Sequence, residues 1–160
     1  MTVDAPDIAV VSPLAADMRA LIRELNGVLS ALTPPGYCYH MTPEEMAGER
    51  TTVFLARLGR HAAACGALHR HEGGIGEVKR MYTRPAYRGR KLGGAILDQI
   101  IKTARREGLS ELVLETGDKH HAAWRTYERA GFTRCGPVLD YPSTPYSVFY
   151  RRPLVAEDEI

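Results

Sequence analysis

Between Ile75 and Glu115 the chain runs through a strand pattern, a helix pattern and a second strand pattern, and this β-α-β order constrains the fold more than any other feature. Ile75 to Thr83 reads as a strand whose alternation breaks between Val78 and Met81, the mark of a bulge. Leu92 to Arg106 places Leu92, Ile96, Ile100, Thr103 and Ala104 on one helical face, and Gly108 ends it. Leu109 to Glu115 is apolar nearly throughout, as a central strand should be. Two further strands, Thr51 to Arg57 and Ala62 to His71, come before this unit. They turn at Gly59-Arg60 and lead through Gly73-Gly74 into Ile75. Hairpin-linked strands pair antiparallel and a helical crossover joins parallel ones, so the sheet is expected to be mixed, antiparallel first and parallel at the crossover.

The flanks extend this plan. Ile8 to Val11 is a short apolar run, read as a buried strand. Ser12-Pro13 has the grammar of a helix start. Leu14, Met18, Leu21, Ile22, Leu25, Val28, Leu29 and Leu32 then follow at helical spacing, and Thr33-Pro34-Pro35-Gly36 stops them. Thr42-Pro43-Glu44-Glu45 opens a second, short helix. Ala122 to Ala130 reads as a helix closed by Gly131. Thr133 to Cys135 and Ser147 to Arg152 read as the last strands, separated by the Pro-rich segment Pro137 to Tyr146. The expected architecture is α/β (α+β): a central mixed sheet of about six to seven strands flanked by about four helices. A length of 160 residues suits one domain, with 1–50 on the substrate side, 51–152 as a cofactor-binding core and 153–160 as a tail.

Net charge is +2, from 21 Lys and Arg against 19 Asp and Glu. So small a surplus argues against bulk nucleic acid or an anionic membrane as the main partner. Cys38, Cys65 and Cys135 are odd in number and widely spaced, which fits buried thiols in a reducing compartment. The N-terminus carries Asp4, Asp7 and Asp17 and lacks the apolar core of a signal peptide. The longest stretch free of Asp, Glu, Lys and Arg, Leu25 to Pro43, contains Pro34, Pro35 and Gly36 and is unsuited to span a membrane. The chain is expected to be soluble and cytoplasmic.

Charge is concentrated in one place. Lys79, Arg80, Arg84, Arg88, Arg90 and Lys91 crowd the end of the bulged strand and the loop after it, with no acidic residue among them. The loop runs Tyr87-Arg88-Gly89-Arg90-Lys91-Leu92-Gly93-Gly94 straight into a helix. Glycines let backbone N–H groups approach an anion, and a helix N-terminus adds partial positive charge, so a phosphate or pyrophosphate is the natural ligand. Neither GxxxxGK[ST] nor GxGxxG is present. A solvated basic loop and a nucleic-acid patch are the competing readings.

The same stretch resembles the GNAT acetyltransferases. Their Arg/Gln-x-x-Gly-x-Gly/Ala signature is matched by Arg88-Gly89-Arg90-Lys91-Leu92-Gly93, with Lys91 in place of the first signature glycine. Glu77 to Pro85 is similar to the family's bulged fourth strand, and Leu112 to Gly117 to its fifth. Ala122-Ala123-Trp124-Arg125-Thr126-Tyr127-Glu128-Arg129-Ala130-Gly131-Phe132 resembles the helix that follows, A-x-x-x-Tyr-x-x-x-Gly-Phe. Order and spacing agree from about Thr52 to Leu154, and the N-terminal strand and helices agree more loosely.

The resemblance implies acetyl-CoA as cosubstrate and no metal. Pantetheine would lie where the fourth and fifth strands splay, bonded by the main chain around Tyr82, at Met81 and Thr83. Arg88, Gly89, Arg90, Lys91, Leu92, Gly93 and Gly94 would cradle the pyrophosphate, and His120 stands where the family often has Asn. Tyr127 holds the general-acid position, since a phenol is protonated at neutral pH and can donate. For the base three alternatives stand: Glu115, Glu77, or water without a side-chain base.

The implied function is an N-acetyltransferase acting by direct attack of a small molecule's primary amine in a ternary complex. Alternatives are acetylation of a protein N-terminus or lysine, and a non-catalytic acyl-CoA-binding regulatory domain. A homodimer is common among such folds. His69 and His71 share a strand face and His120-His121 are adjacent, yet no third ligand has metal spacing. Trp124 reads as a packing residue near the cofactor or a dimer face. Tyr37, Tyr39, Tyr141 and Tyr146 flank predicted loops, where they either line an acceptor pocket or cover the sheet edge.

Overall fold

The computed structural model describes residues 5–154. Of the expected tail 153–160, residues 155–160 lie outside the described residues, as does Asp4. The elements are β1 (Asp7–Val11), α1 (Ala16–Leu32), α2 (Pro43–Met46), β2 (Thr51–Leu58), β3 (His61–His71), β4 (Ile75–Thr83), α3 (Leu92–Arg106), β5 (Glu111–Gly117), α4 (His121–Arg129), β6 (Thr133–Cys135) and β7 (Ser147–Pro153). A single turn of 3-10 helix, Pro85–Tyr87, separates β4 from the loop before α3.

The seven strands form one sheet in the order β1-β2-β3-β4-β5-β7-β6. Only β4 and β5 pair parallel, as the α3 crossover requires, and the other neighbours pair antiparallel. One face is covered by α1 and α2, which bury Met18, Leu21, Ile22, Leu25 and Met46. The other is covered by α3 and α4, with Leu92, Ile96, Leu97, Ile100 and Tyr127 buried. Each large apolar side chain removed from water there contributes about 1.5–3 kcal/mol. Because β3 lies between both layers, it is built of small residues, Ala62, Ala63, Ala64, Cys65, Gly66 and Ala67.

The bulge in β4 falls where the broken alternation places it. Cys65 pairs with Tyr82 and Ala67 with Lys79, so one β3 residue, Gly66, opposes two on β4, Arg80 and Met81. Arg80 takes a left-handed backbone, φ +57°. A Cβ on Gly66 would sit 2.4 Å from Met81 Sδ and 2.8 Å from Ile96 Cγ2, so the bulge and α3 close over a position that admits only glycine.

Two expectations are corrected. β1 is an edge strand rather than a buried one, with Val10 66% exposed, because β2 covers one side and, among the described residues, no strand pairs with the other. Ser12-Pro13 does not cap α1. It forms a turn in which Leu14 N donates to Ser12 Oγ at 3.2 Å, and the helix starts at Ala16. By contrast, Thr42 and Glu45 make the reciprocal capping box of α2, at 3.1 Å each way.

Candidate active site

Strands β4 and β5 pair only at Ile75–Glu111, Gly76–Leu112 and Glu77–Val113. Beyond Glu77 they part, and a cavity of about 100 Å³ opens in the gap. Lys79, Arg80 and Met81 form one wall, and Glu115, Thr116 and Gly117 the other. The β4 edge from Val78 to Thr83 is therefore unpaired towards β5. Met81 and Thr83 offer main-chain groups there, whereas the Tyr82 side chain turns to the α1 layer, where its hydroxyl donates to Glu24 Oε1 at 3.2 Å.

At the far end of β4 the basic turn leads into α3. Gly89 (φ +82°) and Lys91 (φ +61°) both have left-handed backbones, and Lys91 is the N-cap without a side-chain hydrogen bond. The first N–H groups of α3, at Leu92, Gly93 and Gly94, lack partners within the helix. A Cβ on Gly94 would meet nothing within 4 Å, and one on Gly93 would approach Thr126 Cγ2 only to 3.5 Å. These glycines are not demanded by packing, so they leave an open cradle of N–H groups at the positive end of a helix dipole. That is the donor set a pyrophosphate needs. The Arg88 side chain folds back to Thr83 O at 3.3 Å, joining the turn to β4.

Two loops roof the cavity. Tyr37 packs on Tyr146 with ring centroids 4.7 Å apart, and Tyr39 on Tyr141 at 5.5 Å. These pairs join the α1–α2 loop to the β6–β7 loop, so the four tyrosines line a pocket. Beneath them Glu77 is held on both oxygens. His71 Nε2 lies 2.8 Å from Oε1, while Lys79 Nζ (3.2 Å) and the Tyr141 hydroxyl (2.5 Å) donate to Oε2.

Glu115 is in a different state. Among the described residues its one side-chain partner is Ser147 Oγ, which donates to Oε2 at 2.8 Å. Desolvation raises its pKa above the ordinary carboxylate range, against the opposing pull of that hydrogen bond and of Lys79. Tyr127 projects from α4 into the same cavity, packed on Tyr150 and Phe132 at 5.9 and 6.0 Å. Burial pushes its phenol up, with the charges of Glu115 and Tyr150 adding to the shift. His120, at the N-cap of α4, has a buried Nε2 without a partner and a pKa lowered chiefly by burial. Its ring fills the space over Gly117, where a Cβ would come within 2.4 Å of Cδ2.

The pattern of the acetyltransferase (GNAT) family matches residues 20–132. The chain belongs to that family. An IAA acetyltransferase of Azospirillum brasilense is 36% identical over 92% of this chain and 97% of its own length. A crystal structure from Klebsiella pneumoniae subsp. pneumoniae, named as an acyl-CoA N-acyltransferase, is 31% identical. It overlays with a TM-score of 0.80, covering 94% of this chain and 98% of that one. A Salmonella typhimurium structure, named as an acetyltransferase with its cofactor acetyl-CoA, shares the fold at 18% identity, with a TM-score of 0.70 over 95% of each chain.

In this GNAT chain, then, the splay brings Glu77, Met81, Glu115, His120 and Tyr127 to one cavity. The turn from Arg88 to Gly94 follows the splayed C-terminal half of β4 and leads into α3. Sequence reasoning did not single out Arg80 or His40 for the cavity wall, although both line it. For Arg80 a signal existed, because a bulge reverses the direction of the residue it carries. Nothing local marked His40. Among the described residues no group of three or more His, Cys, Asp or Glu is placed to hold a metal, and no helix is long and apolar enough to cross a membrane. Trp124 donates from Nε1 to Gly117 O at 2.9 Å, which anchors α4 to the end of β5.

Proposed function

We propose that this GNAT protein transfers the acetyl group of acetyl-CoA to the primary amine of a small molecule, by direct attack while both are bound. The observation that carries the reading is the continuity of the open N–H cradle at α3, the unpaired edge of β4 and the tyrosine-roofed cavity. Acetyl-CoA is also what the Salmonella structure of the same fold holds, by its name. The roof supports a small acceptor, because two aromatic pairs close over the cavity.

The turn from Arg88 to Gly94 binds the pyrophosphate, and main-chain groups at Met81 and Thr83 align the pantetheine. His120, neutral at pH 7, offers one ring N–H to the cofactor chain. Glu115 takes the proton that the amine must lose, since burial raises its pKa above that of an ordinary carboxylate and makes it a stronger base. Glu77 does not fit this role, as both its oxygens are already engaged. As the C–N bond forms and the C–S bond breaks, Tyr127 donates its proton to the leaving sulfur. The charge of Glu115 raises the Tyr127 pKa, so protonation of Glu115 by the amine makes Tyr127 a better acid at the moment it must donate.

The test is thermal unfolding with acetyl-CoA, followed by thiol release with primary amines. At about one hundred times its dissociation constant a ligand adds about 2.7 kcal/mol, several degrees for a chain of this size. Gly93→Asp should abolish the shift without unfolding the protein, because space exists at Gly93 and a carboxylate suits the first turn of a helix. Arg88→Ala should weaken it. Absence of any shift at millimolar acetyl-CoA, or a full shift in Gly93→Asp, refutes the reading.

A further inference from the structure

Arg80 is a buried cation without a counter-ion. It is 6% exposed, and among the described residues no carboxylate lies within ion-pair distance. On the same strand Lys79 and Arg84 each have a carboxylate partner, Glu77 and Glu24. Nη2 donates to the neutral amide of Asn26, and Nε has no partner. Deprotonation offers no relief, since burial lowers the pKa only to about 10 and the group stays charged at neutral pH. An uncompensated buried charge is strongly unfavourable, and natural proteins pair it with an anion.

A second orphan faces the same cavity. His40 Nδ1 is buried without a partner. Burial lowers the His40 pKa, and the charges of Arg80 and Lys79 lower it further, so the ring is neutral with one N–H to donate. Arg80 and His40 thus supply donors from β4 and from the α1–α2 loop, while Glu115 waits on the β5 wall.

Resting on the acetyltransferase reading above, we propose that Arg80 and His40 seat the carboxylate of the acceptor, so that the amine acetylated belongs to an amino acid. One edge of a guanidinium matches a carboxylate in geometry as well as charge. The anionic groups of acetyl-CoA have a separate cradle, in the turn that follows β4 and opens α3. With its carboxylate held at Arg80, the acceptor turns its amine towards Glu115 on the facing wall.

The experiment compares pairs that differ only in the carboxylate: alanine with ethylamine, leucine with isopentylamine, phenylalanine with phenethylamine, tyrosine with tyramine. The remaining protein amino acids complete the panel. In the wild type kcat/KM should favour the best amino acid over its decarboxylated partner by at least one hundredfold. Arg80→Met should remove most of that preference through KM, and His40→Ala should reduce it by about tenfold. Arg80→Lys should lie between, since it keeps the charge and loses the fork. Should Arg80→Met fail to fold, Arg80→Lys and His40→Ala carry the test. The acetyl-CoA thermal shift, measured on every variant, separates failure of this inference from failure of cofactor binding. The inference is overturned by a wild type that prefers the decarboxylated amines, by variants that slow both classes equally, or by no turnover of any amino acid in protein that binds acetyl-CoA.

Discussion

The Tyr141 hydroxyl donates to Glu77 Oε2 at 2.5 Å across 64 positions of sequence, and this bond ties the β6–β7 loop to strand β4. Lys79 Nζ completes the cluster by donating to the same hydroxyl at 2.9 Å. Hydrogen bonds to a charged group contribute about 1.5–3 kcal/mol when well made. Tyr141→Phe should therefore destabilise the protein by about 1–2 kcal/mol in chemical denaturation. Since Tyr141 also packs on Tyr39, the same change should loosen the roof and raise KM for the acceptor more than KM for acetyl-CoA. Equal rises in both would show that the bond does not hold the acceptor side.

Lys91 occupies a left-handed position where the family signature has glycine. A residue with a Cβ pays about 1–2 kcal/mol there. Lys91→Gly and Lys91→Ala both remove the charge, so their difference isolates the backbone. Lys91→Gly should be the more stable by about 1 kcal/mol, read from urea midpoints. A common loss of acetyl-CoA affinity in the two variants would measure the contribution of the Lys91 side chain.

Tyr127 makes no side-chain hydrogen bond to the described residues, and its ring is held by packing on Phe132 and Tyr150. Tyr127→Phe keeps that packing. Its melting temperature should stay within a degree or two of the wild type, while kcat falls by about one hundredfold or more. KM for acetyl-CoA should hardly move. A variant that keeps full kcat would remove Tyr127 from the chemistry.

On the proposed mechanism Glu115 should set the acid limb of the pH profile. Its folded pKa is raised, so the base form is lost as pH falls through a value above 4.5, and kcat should fall with it. Glu115→Gln should lower kcat and erase that limb. Stability runs the other way. A raised carboxyl binds its proton more tightly when folded, so the protein binds more protons than the unfolded chain between the two pKa values, and stability declines as pH rises through that window. Glu115→Gln should flatten the decline. An unchanged acid limb in the variant assigns the proton to another group.

Much of this site was legible in sequence because its parts are local. The bulge at Arg80 showed as broken alternation, the turn into α3 as glycines and arginines before a helical face, and the parallel β4–β5 pair as a crossover between two strand patterns, while the splay came only from the family resemblance. Each depends on backbone geometry over a few residues, which composition and period report directly. The start of α1 misled for the opposite reason. Ser12-Pro13 satisfies the grammar of a cap, but the Ser12 hydroxyl closes a turn on Leu14 instead.

By itself, then, the sequence determined the order of the elements and the mixed sheet, and its family resemblance marked the turn from Arg88 to Gly94, Tyr127, Glu115 and Glu77 as candidates. Only the tertiary structure decided which carboxylate is free. Glu77 and Glu115 look alike along the chain. They differ because Tyr141, Lys79 and His71 converge on the first, and a single serine reaches the second. The tertiary structure likewise decided that Arg80 stands without a counter-ion, since that follows from which charges the folded chain brings near it and which it has already paired elsewhere. Burial and pairing are properties of residues far apart in sequence, and no local pattern carries them.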